Sequence, residues 1–239
     1  MKKVLITFLI ATLTVLNRLP TFAQQTIVTV PSSDVLPTGE IILKQSNKFT
    51  PWHESFVSLT PSVIVGTGKG TESFFAVGTT MDDGASVKLD IGTKKVFKIG
   101  KSTRFTVGGR ISPNLTDGKN PNSFLYAHGS YLVKKTRTTL ISGVYVTGKE
   151  QMPNMTGAIL GIDQTIIPNK FRVVADWMSR QDNGSALSAG FKIRPHAQTS
   201  ITTAVSIPNC NEDRFAFSIS VSQYMGNIKD IVKKDKESL

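Results

Sequence analysis

The sequence predicts an all-β protein, a closed antiparallel transmembrane β-barrel of about twelve strands that follows a cleaved signal peptide. Three observations predict it. The chain opens with an export signal, its remaining length reads as alternating blocks of about ten residues, and the links between blocks switch between short and long.

Lys2 and Lys3 give a positive start, and Val4 to Leu16 is apolar apart from its threonines. Thr21-Phe22-Ala23 then has the small-x-Ala form of a cleavage site before Gln24. The apolar run is 13 residues, too short for a spanning helix, which needs about 20. The expected organisation is a signal peptide at 1–23, a periplasmic segment at 24–39, a barrel at 40–226 and a charged periplasmic tail at 227–239.

The mature chain would hold 216 residues with one cysteine, Cys210, so no internal disulfide braces it. The formal charge is +11, of which Lys2, Lys3 and Arg18 carry three, leaving +8 on the mature chain. Such an excess suits anionic lipid or nucleic acid, but no nucleic-acid motif accompanies it.

The strand candidates follow in order. Glu40 to Phe49, Phe56 to Val65 and Glu72 to Met81 come first, joined by less regular links. In the fourth, Ala85 to Phe97, Val87, Leu89 and Ile91 alternate with Lys88 and Asp90. The fifth, Thr103 to Ile111, sets Phe105, Val107 and Ile111 against Arg104, Thr106, Gly108 and Arg110. Phe124 to Lys134 is the sixth. In the seventh, Thr138 to Thr147, Ile141 and Tyr145 blur the alternation of Leu140, Val144 and Val146. Gly157 to Ile167 is the eighth. The ninth, Phe171 to Ser179, opposes Phe171, Val173, Ala175 and Trp177 to Arg172 and Asp176. The tenth, Ser185 to Arg194, opposes Leu187, Ala189, Phe191 and Ile193 to small residues, Lys192 and Arg194. Thr199 to Ile207 and Arg214 to Tyr224 complete the set; in the last, Phe217, Ile219 and Val221 alternate with serines.

The second face of these blocks is mostly Gly, Ala, Ser and Thr. That suits an enclosed interior with the bulky face on lipid, whereas a soluble barrel inverts the arrangement. Loops at 112–123, 148–156, 180–184 and 208–213 are long, while 135–137 and 168–170 are short. Long loops on one rim and tight turns on the other is the layout of outer-membrane barrels, although ten or fourteen strands also fit. Trp52, Phe56, Tyr126, Tyr131, Trp177 and Tyr224 fall toward block ends, as interfacial girdles or as ordinary packing.

On the segment Asp34-Val35-Leu36-Pro37-Thr38-Gly39, and on Ala175-Asp176-Trp177 through Asn183-Gly184 to Gly190-Phe191 and Pro195, the chain resembles the putative outer-membrane transporters of the phenol-degradation meta-pathway. The resemblance implies a channel or transporter of the cell outer membrane. Outer-membrane barrels commonly finish on a strand whose last residue is aromatic and is read by the insertion machinery; Tyr224 could fill that place, but a polar tail follows it.

With bulky residues on lipid, the pore-lining set would be Lys88, Asp90, Arg104, Arg110, Asp163, Arg172, Asp176, Lys192 and Arg194, six basic and three acidic. This points to a channel for small, possibly anionic solutes; a salt-bridged lumen that only closes the barrel is the structural alternative. His128-Gly129-Ser130 puts an imidazole and a hydroxyl on one strand face, as in a lipid-modifying barrel hydrolase. No orienting carboxylate can be placed for that pair, so no catalytic residue is assigned and no enzyme is expected. A structural or surface-interaction barrel is a third reading. His53, His128 and His196 have no ligand spacing, so neither metal nor cofactor is expected. Gly66-x-Gly68-x-Gly70 reads as a tight turn. The expected partners are outer-membrane lipid and lipopolysaccharide, the barrel-insertion machinery and small solutes, with no nucleic acid; monomer and oligomer both fit.

Overall fold

The computed structural model describes residues 26–50, 57–81, 85–116, 121–149, 152–179, 186–209 and 215–228. The expected signal peptide, Trp52, His53, Phe56, Cys210 and most of the charged tail lie outside them.

Twelve strands form one closed barrel. They are β1 (Glu40–Phe49), β2 (Val57–Gly68), β3 (Thr71–Met81), β4 (Ala85–Lys98), β5 (Thr103–Ser112), β6 (Asn122–Val133), β7 (Thr138–Lys149), β8 (Met152–Ile167), β9 (Phe171–Met178), β10 (Ala186–His196), β11 (Thr199–Pro208) and β12 (Ala216–Asn227). Each pairs antiparallel with its sequence neighbours. The seam is the pairing of β1 with β12, from Glu40 opposite Asn227 to Phe49 opposite Phe217. Closure leaves no edge strand, so the ladder satisfies the backbone of every strand without help from solvent.

Side-chain alternation then sorts the residues. Leu43, Phe75, Ile91, Ile111, Leu125, Leu160, Val173, Leu187, Phe191 and Ile219 all stand exposed on the outer surface. The residues between them face in and are mainly small, hydroxylic or charged. A continuous apolar exterior of this extent suits lipid. The inversion typical of a soluble barrel does not occur.

Both chain ends of the barrel lie at one rim. The hairpin turns at that rim are tight, and three of them contain a non-glycine residue in the left-handed region: Lys69 (φ 50°), Arg137 (φ 54°) and Asn169 (φ 58°). The Gly66-to-Gly70 stretch is the first of these turns. At the opposite rim, one expected loop is replaced by strand. Residues 148–156 read as one of the long loops, yet Thr147 pairs with Met155 and Lys149 with Met152. A register shift between these pairs passes over Pro153, so a β-bulge absorbs the residue that cannot donate to the ladder.

Three inward aromatics lie across the seams from inward glycines. Phe74 is paired with Gly92, Tyr126 with Gly108 and Tyr145 with Gly157. In each pair the ring lies where the glycine's Cβ would be; a Cβ on Gly157 would sit 2.5 Å from Tyr145 Cε1. This packing explains why β6 and β7 obscured the alternation: Tyr126, Ile141 and Tyr145 are bulky but face inward. Tyr126 and Tyr224 therefore do not belong to an outer girdle. Tyr224 is 8% exposed and packs inside on Leu36, Ile42 and Ile64, while Tyr131 stands on the outside. The outward residue beside Tyr224 is Met225.

Gly157→Val should displace the Tyr145 ring and destabilise the barrel by roughly 1–3 kcal/mol, the usual cost of overpacking. The check is the temperature at which the protein passes from its fast-migrating folded form to its unfolded form on a detergent gel. An unchanged temperature would show that the ring and the glycine do not constrain one another.

Candidate functional site

The residues ahead of β1 turn back into the barrel. Residues 26–38, within the stretch expected to be a periplasmic segment, pack against inward side chains; Ile27, Val30, Ser32, Ser33 and Leu36 are buried. Traced back from the start of β1, at the rim that holds the chain ends, the segment ascends to the opposite half, where residues 27–30 make a tight turn, Ile27 N–H donating to Val30 O at 2.8 Å.

Asp176 on β9 receives that turn. Its Oδ2 accepts N–H bonds from Val28 (2.8 Å), Thr29 (2.7 Å) and Val30 (2.9 Å), and its Oδ1 accepts the Thr29 hydroxyl at 2.8 Å. Three successive amides converging on one anion form a nest. The carboxylate is 2% exposed, so these charge-assisted bonds replace the water it gave up. Around the turn, Ile27 and Val30 pack with Ile141, Tyr145, Ile159 and Val174 in an apolar cluster.

Lower down, further attachments hold the segment. Arg104 Nη1 donates to Asp34 Oδ1 at 2.9 Å and to Ser33 O at 3.0 Å. Leu36 N–H donates to Glu72 Oε2 at 3.1 Å, while Glu72 Oε1 pairs with Lys94 Nζ at 3.2 Å. Lys94 also reaches Ser32 O. Ser33 and Thr106 share a hydrogen bond of 2.9 Å.

The sequence-expected lining residues fall into distinct settings. Asp176 and Arg104 are anchors for the inserted segment. Arg172 Nε pairs with Asp163 Oδ1 at 2.8 Å. Asp90 accepts the Ser112 hydroxyl. Lys88, Asp90 and Arg110 line a cavity of about 620 Å³. Arg110 also lines an adjoining cavity of about 330 Å³, together with Lys192, and Thr26, Val28 and Thr29 of the segment line both. Arg194 shares the inward face of β10 with Lys192.

Sequence reasoning missed Lys44, Lys48 and Lys94, and the acid Glu72. Lys44 and Lys48 sit on β1, where Leu43 and Gln45 give weak alternation; their register with the inward Ser222 and Ser218 of β12 would have assigned them. It also missed Asp34, because a segment read as external has no inward face.

His128 and Ser130 do face the same way, both buried beneath the inserted segment. His128 is 1% exposed and stacks on Tyr126 at 5.9 Å between centroids. Neither ring nitrogen has a hydrogen-bond partner among the described residues. The ring therefore neither activates Ser130 nor is oriented by an acid, and the relay that a serine nucleophile requires is not assembled.

No protein-family model matches the chain, and no curated protein matches it. Solved structures do. The chain is similar to the KdgM porin with TM-score 0.57 at 10% identity, over 76% of this chain and 98% of that one. It is similar to the COG4313 outer membrane channel from Pseudomonas putida F1 with TM-score 0.55 at 10% identity, over 81% and 98%. The fold is that of outer-membrane channels. A KdgM porin in complex with disordered oligogalacturonate also aligns, with TM-score 0.53 at 11% identity, over 76% and 98%.

Asp176→Asn should loosen the turn, because the amide keeps the shape but loses the charge that three N–H groups share. Hydrogen exchange at Val28, Thr29 and Val30 should accelerate about tenfold or more, in line with roughly 1.5–3 kcal/mol for a bond to a charged group. Unchanged protection of these amides would mean that the apolar cluster alone seats the segment.

Proposed function

We propose that the protein is an outer-membrane channel for small solutes with a modest preference for anions, its lumen partly filled by its own N-terminal segment. One observation carries this reading: an apolar outer surface encloses an interior with cavities whose charged lining residues are mainly basic, the smaller cavity being lined by hydroxyls as well. Adding Lys44, Lys48 and Lys94 to the sequence-derived set outweighs the added carboxylates Glu72 and Asp34. Cations held in a low-dielectric wall raise the local concentration of anions. Pairing of Arg172 with Asp163 and of Lys94 with Glu72 removes part of that field, so the preference is modest.

In this reading the signal at 1–23 is removed on export, the outer apolar surface meets lipid and lipopolysaccharide, and the insertion machinery assembles the barrel. Membership in the putative transporter family of the meta-pathway fits the twelve-strand architecture and is part of the proposal. A lipid hydrolase is disfavoured because His128 and Ser130 face the lumen and are not hydrogen-bonded to one another.

Reversal potentials in asymmetric potassium chloride should show anion preference, and Lys192→Glu with Arg194→Glu should shift it toward cations. Deleting residues 26–36 should raise the single-channel conductance several-fold, since the segment that lines both cavities would no longer occupy the lumen. Cation preference of the native protein, or indifference to the charge reversal, would count against a conducting path past these side chains.

A further inference from the structure

The arc formed by β2, β1, β12 and β11 differs from the rest of the lumen. The registers align its inward residues in three rows that cross the strands. One row is Ser62, Lys44, Ser222 and Ser200. The next is Thr60, Ser46, Ser220 and Thr202, extended onto β10 by Lys192. The third holds Ser58, Lys48 and Ser218. Lys44 and Lys48 are thus each flanked on both neighbouring strands by a serine.

Facing residues on paired strands have Cβ atoms about 5 Å apart, roughly the width of a pyranose ring. Ser220 donates to Ser46 at 3.0 Å, Ser62 to Lys44 O at 3.2 Å and Ser218 to Ala204 O at 3.4 Å, so these three hydroxyls are held in place by the wall and keep lone pairs to offer a ligand. The cavity of about 330 Å³ opens onto this arc, with the inserted segment at Thr29 as its other bank and Arg110 reaching in from β5. Among the described residues lining it, Lys44, Lys48, Arg110 and Lys192 are basic, none is acidic and none is aromatic.

We infer that this cavity is a binding station for a sugar acid of monosaccharide size, a carboxylate carried on a polyhydroxylated ring; the inference rests on the channel reading for the route by which the solute arrives. The lysines supply charge-assisted bonds to the carboxylate. The hydroxyl rows, which both donate and accept, match ring hydroxyls that do the same. A simple inorganic anion would use the cations and leave the hydroxyls idle, and a neutral sugar would do the reverse. An aromatic acid would favour a stacking partner; Ile27, Val28, Ile42 and Ile64 give the cavity an aliphatic side, but among the described residues lining it there is no ring.

Isothermal titration of the full-length barrel in detergent with D-glucuronate, D-glucose and acetate tests the station without requiring conduction. Glucuronate should bind at least about tenfold more tightly than either of the others, the factor expected of one charge-assisted hydrogen bond. Lys44→Gln should weaken glucuronate about tenfold by the same reasoning, and Ser220→Ala with Ser222→Ala should weaken it while leaving acetate unchanged. The heat-dependent gel shift reports whether each variant has folded. Equal binding of acetate and glucuronate, equal binding of glucose and glucuronate, or no binding by the folded native barrel would each overturn the inference. If glucuronate binds but no current passes in a bilayer, the station stands and the channel reading fails; if chloride passes but glucuronate does not bind, the reverse holds.

Discussion

The structure depends on closure of the backbone ladder. In lipid an unpaired N–H or C=O has no water to turn to, so twelve strands must return to their starting point before any one of them is stable. The β1–β12 seam performs that return over the full length of β1. Once the ring is closed, alternation does the rest. Each strand has one face in lipid and one in the lumen, and the chemistry of a residue follows from whether its position is odd or even.

Closure by twelve strands leaves more interior than small side chains can fill. The protein answers this in two ways. On the arc from β10 to β2 it leaves space lined by hydroxyls and cations, and a larger cavity stays open along β3 to β7. The rest it fills with inward aromatics and with its own N-terminal segment, whose Ile27, Val30 and Leu36 bring an apolar core into a polar lumen. The polar backbone of that segment is brought in together with its partners: Asp176, Glu72 and Arg104 satisfy groups that burial would otherwise leave bare.

Much of this was legible in the sequence. β4, β5, β9 and β10 announced themselves because a charge or small residue fell at every second place, and the inward charges of those strands were assigned from that alone. β6 and β7 were legible as strands but their inward face was not, because Tyr126, Ile141 and Tyr145 face inward and periodicity does not distinguish a bulky inward residue from a bulky outward one. Lys44 and Lys48 escaped because their assignment depends on a partner strand 170 or more residues away, through the register with β12. The inserted segment left no periodic signal at all. Its turn is seated by one carboxylate on a distant strand, and nothing in Thr26 to Thr38 reveals that Asp176 will be there.

The segment's attachment points have a mechanical meaning. Glu72 lies on β3 and Asp176 on β9, six places apart in a ring of twelve and so on opposite walls. A chain bonded to both is a strut across the cross-section, with Arg104 on β5 bracing it from the side. The width of the barrel and the seating of the segment are then a single variable. Lateral pressure from the bilayer that flattens the ring must also strain the strut, and a segment that leaves its seat hands the shape of the wall back to the lipid.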